Sequence, residues 1–497
     1  MSFFETNSLK DIHASIQEVY LSDQRPWVVG YSGGKDSTCA LQLVWNALAL
    51  LPAEQRQKPV YVISSDTLVE TPIIVRYIDK NLENIQKKSD EQGMPFIVQK
   101  VSPRVERSFW VNLIGRGYPA PSNKFRWCTE RLKIEPANDF ITQRVAEFGE
   151  VVVVLGVRSA ESATRAQVIA MHKIKGTKLA RHSSLLNAFV FAPIEAFTTD
   201  DVWNYLLQNK SPWNNDNREL VTMYRNAQAG ECPLVVDKTT PSCGNSRFGC
   251  WVCTVVQQDK SMEAMVESGE EWLEPLLEYR DLLSSTQDPE KKFIYREFKR
   301  RNGQVAFNHA NGKLVPGPYK LEFRKELLTK LLEIQKQVQA EAPIGEAPVL
   351  IHPAELHEIR RLWRSESGDW ADSVPQIVKS TLGIELDWEI EDSVLYNTQD
   401  FALLNSICKE HDLPTELMVK LIGVEKASHG LKRRHNIHSQ LSKVLNEEWR
   451  DLKTILAARN SDQDISEIIE TDDEESSFAE EISSGQLDLL NNAGANP

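Results

Sequence analysis

The chain has 497 residues, 41% of them hydrophobic, and a formal net charge of −14. Such a length implies about two or three domains, and no apolar run approaches the roughly 20 residues needed to cross a bilayer. Eleven acidic residues and no Lys or Arg lie from Ser461 onward, so the rest carries only −3 and remains compatible with an anionic partner.

The start, MSFFETNSLKDIHASIQ, lacks a basic region followed by an apolar core, so the expected location is cytoplasmic. The first strand is PWVV (26–29), followed by YSGGKDS (31–37) and the helical pattern TCALQLVWNALALL. VYVISSDT (60–67) is a β-branched run ending in polar residues, and Thr71 with Pro72 opens a helix as N-cap and first helical residue. PFIVQKV (95–101), EVVVVLGVRS (150–159) and AFVFAPI (188–194) read as further strands. Continuous apolar strands alternating with helices predict an α/β fold, a mostly parallel sheet covered on both faces. In such a sheet ligands bind beyond the carboxyl ends of the strands, where SGGKDS, SSDT and GVRSAES cluster.

Past about residue 225 a cysteine-rich segment gives way to helical stretches, a loop-rich passage (GQVAFNHANGKLVPGPYK), and further helices with a short linker near 341–349. The expected divisions are 1–225, a nucleotide-binding domain; 226–345, the cysteine segment with a helical region; 346–460, a C-terminal helical domain; and 461–497, an acidic disordered tail.

A glycine turn between a strand and a helix gathers backbone N–H groups at the positive end of the helix dipole, which suits phosphate. The usual phosphate loop, G-x-x-x-x-G-K-[ST], is not met. Gly30 is one residue too close to Gly34, and Asp36 stands where a magnesium-binding hydroxyl should be. The amides of Ser32, Gly33, Gly34, Lys35, Asp36 and Ser37, with the Lys35 ammonium, would surround the β- and γ-phosphates, and Asp36 is placed to help hold Mg2+. Asp66 and Thr67 end the second strand, either near the nucleotide or as a capping turn. Arg158, after a buried strand, favours a phosphate contact over a salt bridge. Arg126, Lys133 and Arg165 are secondary anion contacts or solvated side chains, and Cys128 is a sulfur-handling thiol or a small polar position in the site.

Seven cysteines, an odd number, argue against a disulfide framework. Four of them, Cys232, Cys243, Cys250 and Cys253, form C-x10-C-x6-C-x2-C, which suits zinc or an iron–sulfur cluster. Cys39 and Cys408 read as core residues.

SGGKDS resembles the PP-loop of the ATP pyrophosphatases. SSDTLVETP, FRWCTERLK, LGVRSAESATR and APIEAFTTDDVWNYL, in that order, resemble the phosphoadenosine-phosphosulfate reductase branch over about the first 210 residues. CGNSRFGCWVCT extends the resemblance to the DNA phosphorothioation sulfurtransferases, the C components of Dnd systems. This resemblance implies an ATP-dependent sulfurtransferase that cleaves ATP to AMP and pyrophosphate, with Lys35, Asp36 and Arg158 at the reacting phosphates. It implies ATP and Mg2+ as cofactors and a [4Fe–4S] cluster on Cys232, Cys243, Cys250 and Cys253. The implied partners are DNA, a cysteine desulfurase as sulfur donor, and the D and E components. Candidate DNA contacts are KKFIYREFKRRNG (291–303) and HGLKRRHNIH (429–438). Sulfonucleotide reduction, RNA thiolation and a non-catalytic assembly role are the alternatives. The reductases' C-terminal Glu-Cys-Gly motif and adjacent cysteine pair do not occur in the chain.

Overall fold

The structure, a computed structural model, describes residues 2–458 except 162–166, 168–169, 228–248, 309–311, 389–395 and 429–435. It divides into two compact units, the first made of Met1–Arg104 with Cys128–Leu277, the second of Val105–Trp127 with the described residues from Glu278 onward. This grouping differs from the expected divisions: the described part of the cysteine segment packs with the nucleotide-binding sheet, and residues 105–127 pack with the C-terminal helices.

In the first unit, β1 (Trp27–Gly30), β2 (Val60–Ser65), β3 (Phe96–Val101), β4 (Val151–Val154), β5 (Ala180–Arg181) and β6 (Ala188–Phe191) form one sheet in the order β3-β2-β1-β4-β6-β5. All neighbours are parallel except the β5–β6 edge pair. Side chains alternate between faces along a strand. Val28, Tyr61, Ile63, Val151 and Val153 face one side and pack against Ile141 of α4, which spans Glu135–Phe148. On the other side Trp27 meets the rings of Tyr20 and Phe191, Tyr20 belonging to α1 (Leu9–Leu21). Trp45, from α2 (Lys35–Ala49), stacks on Phe96 with ring centroids 4.5 Å apart. Each such fully buried apolar side chain contributes about 1.5–3 kcal/mol.

The helix α3 (Pro72–Gln92) starts at Thr71–Pro72 as expected and stops at Gly93, whose φ of +58° a side chain would strain. The Thr71 hydroxyl makes no cap; it donates to the Gly249 carbonyl at 3.4 Å. Two further helices matter for the site: α5 (Thr199–Gln208) and α6 (Asn217–Ala227). β1 lies between β2 and β4, so the crossovers leaving its two sides diverge and open a crevice at its carboxyl end.

The second unit is mainly helical. Buried leucines 327, 328, 331 and 332 form the core face of α7 (Leu321–Glu341). Trp363 of α8 (Pro353–Glu366) donates through Nε1 to the Ile114 carbonyl at 2.9 Å, and Trp110 donates to the Leu350 carbonyl at 2.6 Å. These bonds tie residues 105–127 into this core. A hairpin, β7 (Ala306–Phe307) with β8 (Leu314–Val315), lies in the passage expected to be loop. Two-residue strands are too short to show a period, which is also why β5 escapes the sequence pattern. Among the described residues no helix is long and apolar enough to cross a membrane.

Candidate functional site

The loop after β1 closes on itself before it offers anything to a ligand. Ser37 Oγ accepts from the Ser32 amide at 3.2 Å, donates to the Gly34 carbonyl at 3.0 Å, and lies 3.1 Å from Ser32 Oγ. Gly33 sits at φ +72°, with the Ile78 side chain 3.0 Å from where a Cβ would be. At Gly156, just beyond β4, a Cβ would come within 2.6 Å of the Asp36 carbonyl oxygen. The end of β4 therefore approaches the first turn of α2 more closely than any side chain permits.

That approach delivers Arg158 to the loop. Its Nε donates to Asp36 Oδ1 at 2.7 Å, and its Nη1 donates to Thr199 Oγ1, on α5, at 3.2 Å. The other carboxylate oxygen of Asp36 pairs with Lys35 Nζ at 3.0 Å. Arg158 thus makes the salt bridge that ranked second from sequence, and its side chain is only 4% exposed. Each carboxylate oxygen is in an ion pair, so Asp36 holds two cations beside the loop amides. The arrangement presents two positive groups and a helix N-terminus to one spot, as the outer phosphates of a nucleotide require.

Asp66 and Thr67 are not part of that spot's polar network. Asp66 Oδ1 caps the Leu68 amide at 2.9 Å and Oδ2 pairs with Lys100 at 2.9 Å, the strand-end turn that was the alternative reading. Thr67 is fully buried, its hydroxyl 3.4 Å from Cys250 Sγ. Cys250 bridges to Glu70 and Trp251 donates to the Val69 carbonyl at 3.0 Å, which lays the described end of the cysteine segment along the turn after β2.

A second chemical centre results. Cys253 donates its amide to the Cys250 carbonyl at 3.0 Å, the tight turn that C-x2-C knuckles use to aim two sulfurs at one atom. Burial pushes the Cys250 thiol up, and burial together with charge on Cys250 and Cys253 pushes Cys128 up to about 12. The Lys133 ammonium is held up mainly by charge on Cys250. Burial raises the Glu70 carboxyl to about 7, partly offset by Lys133. Cys128, a candidate sulfur-handling thiol from sequence, thus lies within electrostatic range of Cys250 and Cys253, a relation its sequence position did not reveal. The knuckle fits two corners of a metal or iron–sulfur site. Cys232, Cys243 and Arg165 lie outside the described residues, and among the described ones no three His, Cys, Asp or Glu gather in ligating geometry. Arg126 is exposed and donates to Asn123 Oδ1 at 3.0 Å. Cys39 and Cys408 are core residues, 0% and 1% exposed.

The expected basic face at 291–303 is not one. Lys292, Arg296 and Arg300 are buried, and Lys299 and Arg301 pair with Glu416 and Glu366 at 3.2 and 3.3 Å. Arg296 donates to the Gly317 and Pro316 carbonyls at 2.6 and 2.7 Å, so its charge serves packing. The second candidate, 429–438, lies outside the described residues up to 435. Elsewhere in the second unit, His357, Arg360, Arg361 and Arg364 of α8 line a cleft of about 180 Å³, with Arg360 bonded to Asp372 and Arg361 to Glu358.

Residues 26–256 match the sequence profile of the phosphoadenosine phosphosulfate reductase domain. An uncharacterized protein of Methanocaldococcus jannaschii is 25% identical over 284 residues, 56% of this chain and 48% of that protein, so the match spans about half of the relative. Among solved structures, phosphoadenylyl-sulfate reductase from Candida auris overlaps 44% of this chain and 91% of its own, at 16% identity and a TM-score of 0.27. FMN adenylyltransferase from Candida glabrata overlaps 47% and 64%, at 12% identity and a TM-score of 0.26. With its mostly parallel sheet and its loop at the carboxyl end of β1, the region 26–256 is similar to the phosphoadenosine phosphosulfate reductase domain.

Proposed function

We propose that this protein is an ATP-dependent sulfurtransferase acting on the DNA backbone. The observation that carries the reading is the pairing of two centres at adjacent strand ends. A loop flanked by Lys35 and Arg158 follows β1, and the Cys250–Cys253 turn lies along the segment after β2, with Cys128 within electrostatic range. ATP would lie with its outer phosphates on the amides of Ser32 to Ser37, and Mg2+ would enter as the counter-ion of ATP, with Asp36 helping to hold it.

A non-bridging oxygen of a DNA phosphodiester attacks the α-phosphorus, pyrophosphate leaves, and Lys35 and Arg158 neutralise the charge that develops on it. The DNA phosphorus then carries AMP. The outer sulfur of a persulfide, supplied through a cysteine desulfurase, bonds to that phosphorus as AMP departs with the oxygen. A thiol cleaves the remaining S–S bond and is oxidised to a disulfide, leaving the phosphorothioate. Cys232, Cys243, Cys250 and Cys253 would hold a [4Fe–4S] cluster, which would supply thiophilic sulfur chemistry. The D and E components of a Dnd system would complete the assembly in the cytoplasm.

Incubation with labelled ATP and DNA tests the first step. Release of AMP and pyrophosphate by the wild type, reduced at least a hundredfold in Lys35→Ala, is expected on the scale of losing one phosphate-stabilising charge. Failure of the wild type to release AMP and pyrophosphate, with Lys35→Ala no different, would leave only a non-catalytic assembly role. Mass spectrometry of nuclease-digested DNA would then show phosphorothioate dinucleotides from the wild type alone. The match over 26–256 favours one other reading, sulfonucleotide reduction, which predicts sulfite release from a sulfonucleotide and thiol instead.

A further inference from the structure

One tyrosine stands within the loop's anion cradle and belongs to neither centre. Tyr224 Oη accepts the Lys35 amide at 3.3 Å, and Lys35 Nζ lies 5.3 Å from the centre of its ring. A Cβ on Gly34 would come within 3.2 Å of the same hydroxyl, so the second glycine of the loop makes room for the phenol as well as for a phosphate. The ring is supported from behind by Trp203 on α5, edge to face at 5.2 Å.

Its helix is anchored at the other end. Asn217, the first residue of α6, donates to the Leu206 and Asn209 carbonyls at 2.8 and 3.0 Å and accepts from Gln42 of α2 at 2.8 Å. Tyr224 is about two helical turns further on, so it reaches the loop from a platform fixed to both α2 and α5.

We propose that Tyr224 is a ligand of the β- and γ-phosphates of a bound nucleoside triphosphate, a proposal that rests on the ATP reading above. The Lys35 amide is one of the first-turn donors of α2 that an anion uses. Its bond to the phenol is long and neutral. A phosphate oxygen, as a charged acceptor, makes a bond about twice as strong and takes the amide. A tyrosine hydroxyl both donates and accepts. Having given up the amide, it donates its proton to the arriving phosphate, and α6 and Trp203 keep the ring within reach. The contact is to the outer phosphates, because the Lys35 amide opens the helix beyond the glycine turn.

Equilibrium binding of ATP and of AMP to the full chain tests this with Tyr224→Phe, which keeps the ring and removes the hydroxyl. ATP is expected to bind about ten- to a hundredfold more weakly, the range for losing one hydrogen bond to a charged group, with AMP affinity unchanged. ATP binding as tight as or tighter than in the wild type overturns the proposal and makes Tyr224 a bystander or a displaced plug. Equal weakening for ATP and AMP also overturns it, in favour of ring packing alone. Failure of the wild type to bind ATP removes the ATP reading itself, and the proposal with it.

Discussion

Buried positive charge is used in opposite ways in the two units. Beside the loop, Arg158 and Lys35 meet one carboxylate, Asp36, and Arg158 also donates to the Thr199 hydroxyl. In the second unit Arg296 is as deeply buried, yet its guanidinium is taken up by the Gly317 and Pro316 carbonyls. Backbone carbonyls cannot be exchanged for a ligand without unfolding the segment, whereas a carboxylate shared by two cations can yield one of them to a phosphate. The comparison teaches that a basic stretch in a sequence does not by itself mark an anion-binding face. The environment of each charge decides.

The largest effect expected is at Asp36. Asp36→Ala leaves Arg158 buried without its partner and should cost about 3 kcal/mol of stability, measured by denaturant unfolding. The double variant with Arg158→Met should recover most of it; no recovery would mean that the pair is not coupled. Arg296→Ala should cost about 2 kcal/mol, because two carbonyls lose a charged donor. If the residue served DNA instead, stability would hold and the salt dependence of DNA binding would fall by about one unit of slope.

The smallest effect concerns Glu297, in the same stretch. Burial raises its carboxyl above the ordinary value, with Lys320 the leading opposing influence. The folded state therefore binds a proton more readily than the unfolded chain. This contribution is fully present below the unfolded value near 4.5 and is lost as pH rises through the folded one. Unfolding measured from pH 4 to 8 should show that decline in the wild type and a flatter profile in Glu297→Gln. An unchanged profile would place the titration elsewhere.

Much of the first unit was legible because parallel central strands are continuous apolar runs, and VVVV at 151–154 has no other comfortable place than a buried strand. The loop was legible for the same reason: a glycine turn between such a strand and a helix has few uses. The thiol centre was half legible. C-x2-C signals itself by spacing, but Cys128 lies 122 residues before Cys250 and enters only through folding. Tyr224 carried no signal, since a lone aromatic on an amphipathic helix usually packs in a core.

Sequence by itself determined the central strands and the helices between them, the glycine turn after the first strand and the clustering of four cysteines, because these depend on local periodicity and on the backbone freedom of glycine. Tertiary structure decided which charges face one another. Asp36 became the holder of Lys35 and Arg158, Thr67 turned to Cys250 rather than to the loop, and the basic stretch at 291–303 went into packing. The physical reason is range: hydrogen bonds and ion pairs form between groups within a few ångströms, and distance along the chain says little about which groups those will be.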